Sequence, residues 1–205
     1  MNYIEELIAR HPELDYLADS LDSAVGAILF THTYNGKLLL VGNGGSAADC
    51  EHIAGELMKG FLEPRFTDGE DREALVAELG EKGALLQRGL CAIPLQSLSS
   101  VLTAYANDVE PSLVYAQLVY AAGKRGDTLI AISTSGNSEN VVNAVRAARA
   151  LGITVIALTG KGGGQLASLA DILIDAPATE TYLVQEYHLP IYHAICAEVE
   201  RRLFK

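Results

Sequence analysis

Residues 129 to 145, Leu-Ile-Ala-Ile-Ser-Thr-Ser-Gly-Asn-Ser-Glu-Asn-Val-Val-Asn-Ala-Val, constrain the fold more than any other stretch. Leu129 to Ile132 are four consecutive apolar residues, the pattern of a buried parallel strand. Ser133, Thr134, Ser135 and Ser138 then place four hydroxyls within six residues. Gly136 and Asn137 suit a tight turn that needs positive φ. From Glu139 the spacing of Val141, Val142, Val145 and Ala148 is helical. The free N–H groups of a helix start, joined by hydroxyl donors, make a site for a dianion such as a phosphate. A serine can also simply cap a helix, but one serine meets that need. No lysine follows as in a nucleoside-triphosphate loop, which argues against that ligand class.

The rest of the chain repeats the alternation. Residues 3 to about 32 read as helix, broken near His11-Pro12, with Leu14, Leu17, Leu21, Val25 and Leu29 at helical spacing. Lys37 to Val41 is a buried strand, Gly42-Asn43-Gly44-Gly45-Ser46 a glycine-rich loop, and Ala47 to Leu62 a helix. Residues 63 to 89 are irregular, with a polar helix over Asp71 to Leu86 interrupted near Gly80 and Gly83, and read as a surface excursion or flap over the site. Cys91 to Leu95 is a short strand whose Pro94 marks its end or an edge position. Ser99 to Tyr105 and Val114 to Gly123 are helices, and Thr154 to Leu158 and Ile172 to Ile174 strands. A last helix runs from Tyr182 to Phe204 with Pro190 inside it.

Strands alternating with helices predict a three-layer, doubly wound parallel α/β sheet. Right-handed crossovers bring the loops after the strands to one edge, where ligands of such sheets bind. Loops 42–46 and 133–138 are therefore expected to face one crevice. A length of 205 residues suits one domain, 1–205, with an N-terminal helical segment (1–32) and a variable insertion (63–95).

Composition narrows the function classes. Apolar residues make up 49% and charged residues 20%, as in water-soluble globular proteins. The formal charge of −11, with no basic stripe, argues against nucleic acid as a partner. No uncharged apolar stretch is long enough to span a membrane, and Met-Asn-Tyr-Ile-Glu-Glu is not a signal-peptide start. Cys50, Cys91 and Cys196 are far apart, without paired metal spacing, and read as reduced, buried thiols of a cytoplasmic protein.

Two helices carry groups suited to chemistry. His52 and Glu56 are four apart and share a face, as a metal-binding or acid–base pair would; a solvated surface pair has the same spacing. On the last helix, Gln185 and His193 are eight apart, nearly the same face, with Glu186 and His188 nearby. Any one of these alone reads as a structural polar group. Asn107-Asp108 lies in an expected loop, where a turn or cap explains it equally. Lys161, in a second glycine-rich loop, has the charge to assist an anion, though it reads first as an exposed lysine.

Four blocks in order carry a resemblance: Val-Gly-Asn-Gly-Gly-Ser-Ala-Ala-Asp-Cys-Glu-His-Ile-Ala-Gly-Glu (41–56), Ala-Ile-Ser-Thr-Ser-Gly-Asn-Ser (131–138), Ala-Leu-Thr-Gly-Lys-Gly-Gly (157–163) and Gln-Glu-Tyr-His-Leu-Pro-Ile-Tyr-His (185–193). The chain resembles the sugar isomerase (SIS) family, in its phosphoheptose isomerase branch. The resemblance implies a flavodoxin-like fold, a homotetramer with sites at subunit contacts, and conversion of D-sedoheptulose 7-phosphate to D-glycero-D-manno-heptose 7-phosphate through an enediol. Matched by position, Ser133, Thr134, Ser135 and Ser138 would hold the phosphate, assisted by Asn43, Gly44 and Ser46. Glu56 would be the general base and His193 its acid/base partner. His52, Glu56, Gln185 and His193 would be zinc ligands. Asn107, Asp108, Glu56 and Gln185 complete the expected substrate contacts. Thr181-Tyr182-Leu183-Val184 stands where the family often has Arg or Asp, and no acidic residue occurs among Leu95 to Leu98. Both departures concern the sugar hydroxyls, so another sugar phosphate is the alternative substrate. A non-catalytic sugar-phosphate sensor or replication-initiator-binding relative is the alternative class.

Overall fold

Five parallel strands form one sheet in the order β2–β1–β3–β4–β5: β1 (Leu38–Gly42), β2 (Ala92–Pro94), β3 (Thr128–Ser133), β4 (Thr154–Thr159) and β5 (Ile172–Asp175). This computed structural model describes residues 2–204. The order is that of flavodoxin-like sheets, whose direction of winding reverses between β1 and β3. Pro94 ends β2 on the edge of the sheet, where its missing N–H costs no ladder bond.

The strands are apolar at nearly every position because each face is covered. Leu38, Leu40, Ile130, Ile132, Ile156 and Leu158 face one layer, built from α1 (Tyr3–Arg10), α2 (Ala18–Thr33), α3 (Gly45–Leu57) and α8 (Thr181–Phe204). Leu39, Val41, Leu129, Ala131, Val155 and Ala157 face the other, built from α6 (Val114–Ala122) and α7 (Glu139–Leu151). The period-two alternation within each strand thus serves two cores.

Local signals set the helix ends. Asn2 and Glu5 form a reciprocal capping box at α1. Gly152, left-handed at φ 70°, ends α7 and turns the chain into β4.

The insertion resolves into α4 (Gly69–Leu79) and a 3₁₀ turn over Gly80–Leu85. No residue of α4 is buried, and the helix packs chiefly on the turn after it. The root of the excursion is firmly held. Arg65 and Glu200, both under 4% exposed, pair at 2.8 Å, and Glu200 also accepts from the N–H groups of Phe61 and Leu62. Gln87 Oε1 accepts from the N–H groups of Gly60 and Arg65. The excursion therefore stands on the C-terminal half of α8.

Two expectations need correction. Asn107 and Asp108 are the last residues of a helix, α5 (Ser99–Asp108), because helical hydrogen bonding continues through Val109 N–H to the Tyr105 carbonyl. Cys91 is exposed; only Cys50 and Cys196 are buried, since Cys91 precedes the first paired residue of the edge strand.

Candidate active site

β1 and β3 deliver loops 43–44 and 134–138 to the same edge, and these meet the start of α8. Asn43, Gly44, Gly45, Ser46, Ile132, Ser133, Thr134, Ser138, Thr181 and Gln185 line one crevice of about 260 Å³. Three helices, α3, α7 and α8, begin at its wall. Neither Gly44, before α3, nor Ser138, before α7, supplies a side-chain cap to its helix. Instead Ser138 Oγ lies 3.0 Å from Ser133 Oγ. The N–H groups of Ser46, Ala47 and Val141 already donate to the Asn43 and Gly44 carbonyls and to Asn140 Oδ1, which leaves those of Gly45, Glu139 and Asn140, with the hydroxyls, for an anion at the positive ends of α3 and α7.

The turn between β3 and α7 is built to hold this shape. Gly136 has φ 65°, and a Cβ there would run into the Gly163 carbonyl. Ser135 Oγ accepts from the Asn137 N–H and holds the turn, and Ser135 does not line the crevice. Asn137 Oδ1 in turn accepts from the Gln165 N–H, tying the turn to the next loop. Asn43 and Asn140 exchange two amide hydrogen bonds of 2.8 and 3.0 Å across the mouth, and Tyr115 Oη donates to the Gly42 carbonyl below them.

Gln185 packs against Gly45, while His193 lies eight residues, roughly 12 Å, further along α8. There it meets α3. His52 Nε2 is 3.3 Å from His193 Nε2 and 3.2 Å from Glu56 Oε1, and Lys59 Nζ is 3.6 Å from Glu56 Oε2. Phe61, from the root of the excursion, covers the His193 ring at 5.6 Å. Burial, followed by the His52 ring, lowers the His193 pKa from its ordinary value, while Glu56 opposes the shift. His193 is thus favoured as neutral imidazole, able to take or give a proton.

Of the expected zinc ligands, His52, Glu56 and His193 come together. Gln185 lines the crevice two turns away. Imidazole and carboxylate donors are of the kind that zinc takes, and His52 Nε2 contacts both Glu56 and His193. Among the described residues no group of three or more His, Cys, Asp and Glu closes on one point. Asn107 and Asp108 are exposed and hydrogen-bonded to each other, away from the crevice lining. His188 is fully buried against the Thr159 carbonyl and is structural.

Sequence reasoning missed Thr181, Asn140, Tyr192 and Asp49. Asp49 lies three residues before His52, a helical neighbour that could have been found. Tyr192 adjoins His193 but reaches His52 only through the packing of α8 on α3, which no spacing reveals.

Comparison with known proteins identifies relatives of the chain. The SIS domain profile matches residues 77–160, which include β3 and the serine loop. A phosphoheptose isomerase of Laribacter hongkongensis is 37% identical over 205 residues, covering 98% of this chain and 93% of the relative. The chain belongs to the phosphoheptose isomerase family. A solved phosphoheptose isomerase from Neisseria gonorrhoeae superposes with a TM-score of 0.75 at 34% identity, covering 96% of this chain and 94% of that one. One from Francisella tularensis gives the same TM-score at 28% identity, covering 97% and 95%.

Proposed function

We propose that the chain is a ketose–aldose isomerase that converts D-sedoheptulose 7-phosphate to D-glycero-D-manno-heptose 7-phosphate. The observation that carries this is the pairing of an anion crevice with an acid–base cluster, both built on α3 and α8. Gln185 at the crevice and His193 in the cluster lie roughly 12 Å apart along α8, a gap that their side chains shorten. Six carbon–carbon bonds of about 1.5 Å each, zigzagged, plus a phosphoester reach roughly 10 Å. A phosphate at one end of a seven-carbon chain thus brings the carbonyl carbon and its neighbour to the other.

Ser133, Thr134, Ser138 and the N–H groups of Gly45, Glu139 and Asn140, at the starts of α3 and α7, bind the phosphate. Asn43, braced by Asn140, and Gln185 meet the sugar hydroxyls between. Glu56 removes the proton from the carbon next to the ketone, and electrons move to the carbonyl oxygen as the enediol forms. His193 carries a proton between the two oxygens. Return of the proton from Glu56 to the former carbonyl carbon leaves the aldose. Both groups touch reacting atoms within one cluster, as acid–base catalysis requires. Zinc, when bound, would be held by His52, Glu56 and His193, with Gln185 on the crevice side, and would polarise the sugar oxygens. A cytoplasmic homotetramer is part of the same reading; the exposed Val101, Tyr120 and Val109 offer apolar surface for subunit contacts.

The test is isomerisation of sedoheptulose 7-phosphate by the purified protein, with zinc and with a chelator. Turnover lost in Glu56→Gln and His193→Ala supports the assignment. No turnover from the folded, zinc-supplied protein overturns it, and product analysis with other ketose phosphates then identifies the substrate.

A further inference from the structure

Behind His52, away from the reacting face, lies a second polar chain. Tyr192 is one of the largest fully buried side chains of the protein, 2% exposed, yet its hydroxyl reaches two partners. Tyr192 Oη is 3.2 Å from Asp49 Oδ1 and 3.0 Å from His52 Nδ1. The tyrosine ring meets the His52 ring edge-on at 5.4 Å. Asp49 Oδ2 is buried without a partner among the described residues, so the Tyr192 hydroxyl is the side-chain donor that its carboxylate receives. Burying a phenol is costly unless its hydroxyl is satisfied, which makes this arrangement specific.

The protons can be counted. A tyrosine hydroxyl has one proton, and a carboxylate only accepts. The Tyr192 proton therefore goes to Asp49. The Oη lone pair is left facing His52 Nδ1, which satisfies it only by carrying a hydrogen. In neutral imidazole, Nε2 is then bare, and it is Nε2 that faces Glu56 Oε1 and His193 Nε2. A lone pair held beside a carboxylate and a second imidazole is an arrangement stabilised by a proton or a cation between them.

We propose that Asp49 and Tyr192 are positioning residues that lock His52 in the Nδ1–H tautomer and turn its Nε2 lone pair into the acid–base cluster. The proposal rests on the reading that His52 belongs to the reacting site. Its consequence for metal follows from the same geometry: outer partners of a ligating histidine fix ring orientation and raise ligand basicity.

The test uses the full chain with histidine-ring nitrogen NMR, above the range in which imidazole protonates and with a chelator present, followed by zinc competition against a chromophoric chelator. The wild-type His52 ring should show Nδ1–H. Tyr192→Phe keeps the ring and removes only the hydroxyl; it should give mixed His52 tautomers and zinc binding weaker by about 10- to 100-fold. Asp49→Asn, which keeps an acceptor oxygen, should retain more of both signals than Asp49→Ala. Melting curves accompany each variant, and if Tyr192→Phe fails to fold, the two Asp49 variants decide. A wild-type Nε2–H tautomer, or unchanged ring signals and unchanged zinc affinity in the variants, overturns the proposal. None of these readouts uses substrate, so a failed isomerase assay counts against the function and not against this relay.

Discussion

Gly45 and Gln185 are in such close contact that a Cβ on Gly45 would lie 3.0 Å from Gln185 Cδ and nearer still to its amide nitrogen. The first turn of α3 and the second turn of α8 are thereby joined in the lining of the crevice. Gly45→Ala should displace the Gln185 side chain and lower kcat/KM by about 10- to 100-fold, the scale expected of a small misplacement. The melting temperature should change little, because Gly45 is already helical. Steady-state kinetics and a thermal scan check both halves.

Ser138 Oγ pairs with Ser133 Oγ and does not cap the start of α7. Ser138→Ala should therefore cost substrate binding more than stability. A hydrogen bond to a charged group contributes about 1.5–3 kcal/mol, or roughly 10- to 100-fold in affinity. Inhibition by inorganic phosphate, measured beside kcat and KM, should weaken in parallel. An unchanged phosphate Ki would remove Ser138 from the anion site.

Arg65 and Glu200 anchor the excursion by a buried pair. Glu200→Gln leaves the guanidinium without its counter-charge and should destabilise by about 3–5 kcal/mol, whereas replacing both by apolar residues of similar size should recover most of the loss. Chemical denaturation of the single and double variants measures this. Proteolytic nicking within residues 63–89 should rise in the single variant first, since the root of that segment is what the pair holds.

Glu198 accepts from Arg201 and Arg202 and from the Tyr3 N–H, and these bonds lower its pKa to about 2. A carboxylate depressed in the folded state contributes stability that is present above its unfolded pKa, near 4.5, and is lost as pH falls toward about 2. The upper bound is about 3 kcal/mol, less after solvent screening of the partly exposed arginines. Glu198→Gln should flatten the stability profile in that window, read by denaturant midpoints across acid pH.

Much of this was legible in the sequence, for identifiable reasons. The strands were visible because both of their faces are buried, which leaves continuous apolar runs such as Leu38 to Val41. The serine loop was visible because its hydroxyls outnumber the needs of a cap. His52 and His193 were visible only as separate helical pairs; their 3.3 Å approach depends on how α8 lies on α3. Ser135 was indistinguishable from its neighbours in sequence, and its place outside the crevice lining shows only in the turn that it makes with the Asn137 N–H. Asn107 and Asp108 looked like turn residues because local propensity favours turns there, and α5 continues through them all the same. The excursion lacked a legible pattern because α4 buries nothing, and a helix without a buried face leaves no periodic mark.

Three helix starts at one crevice have a kinetic consequence when set beside the net charge of −11. At long range the protein repels a dianionic sugar phosphate; only within the last few ångströms do the α3, α7 and α8 N-termini attract it. Dissolved ions weaken the first field far more than the second. Substrate capture should therefore quicken as salt is added, the reverse of enzymes that draw their substrates in from afar, and the molecule behaves as a trap that works at contact inside a repelling shell.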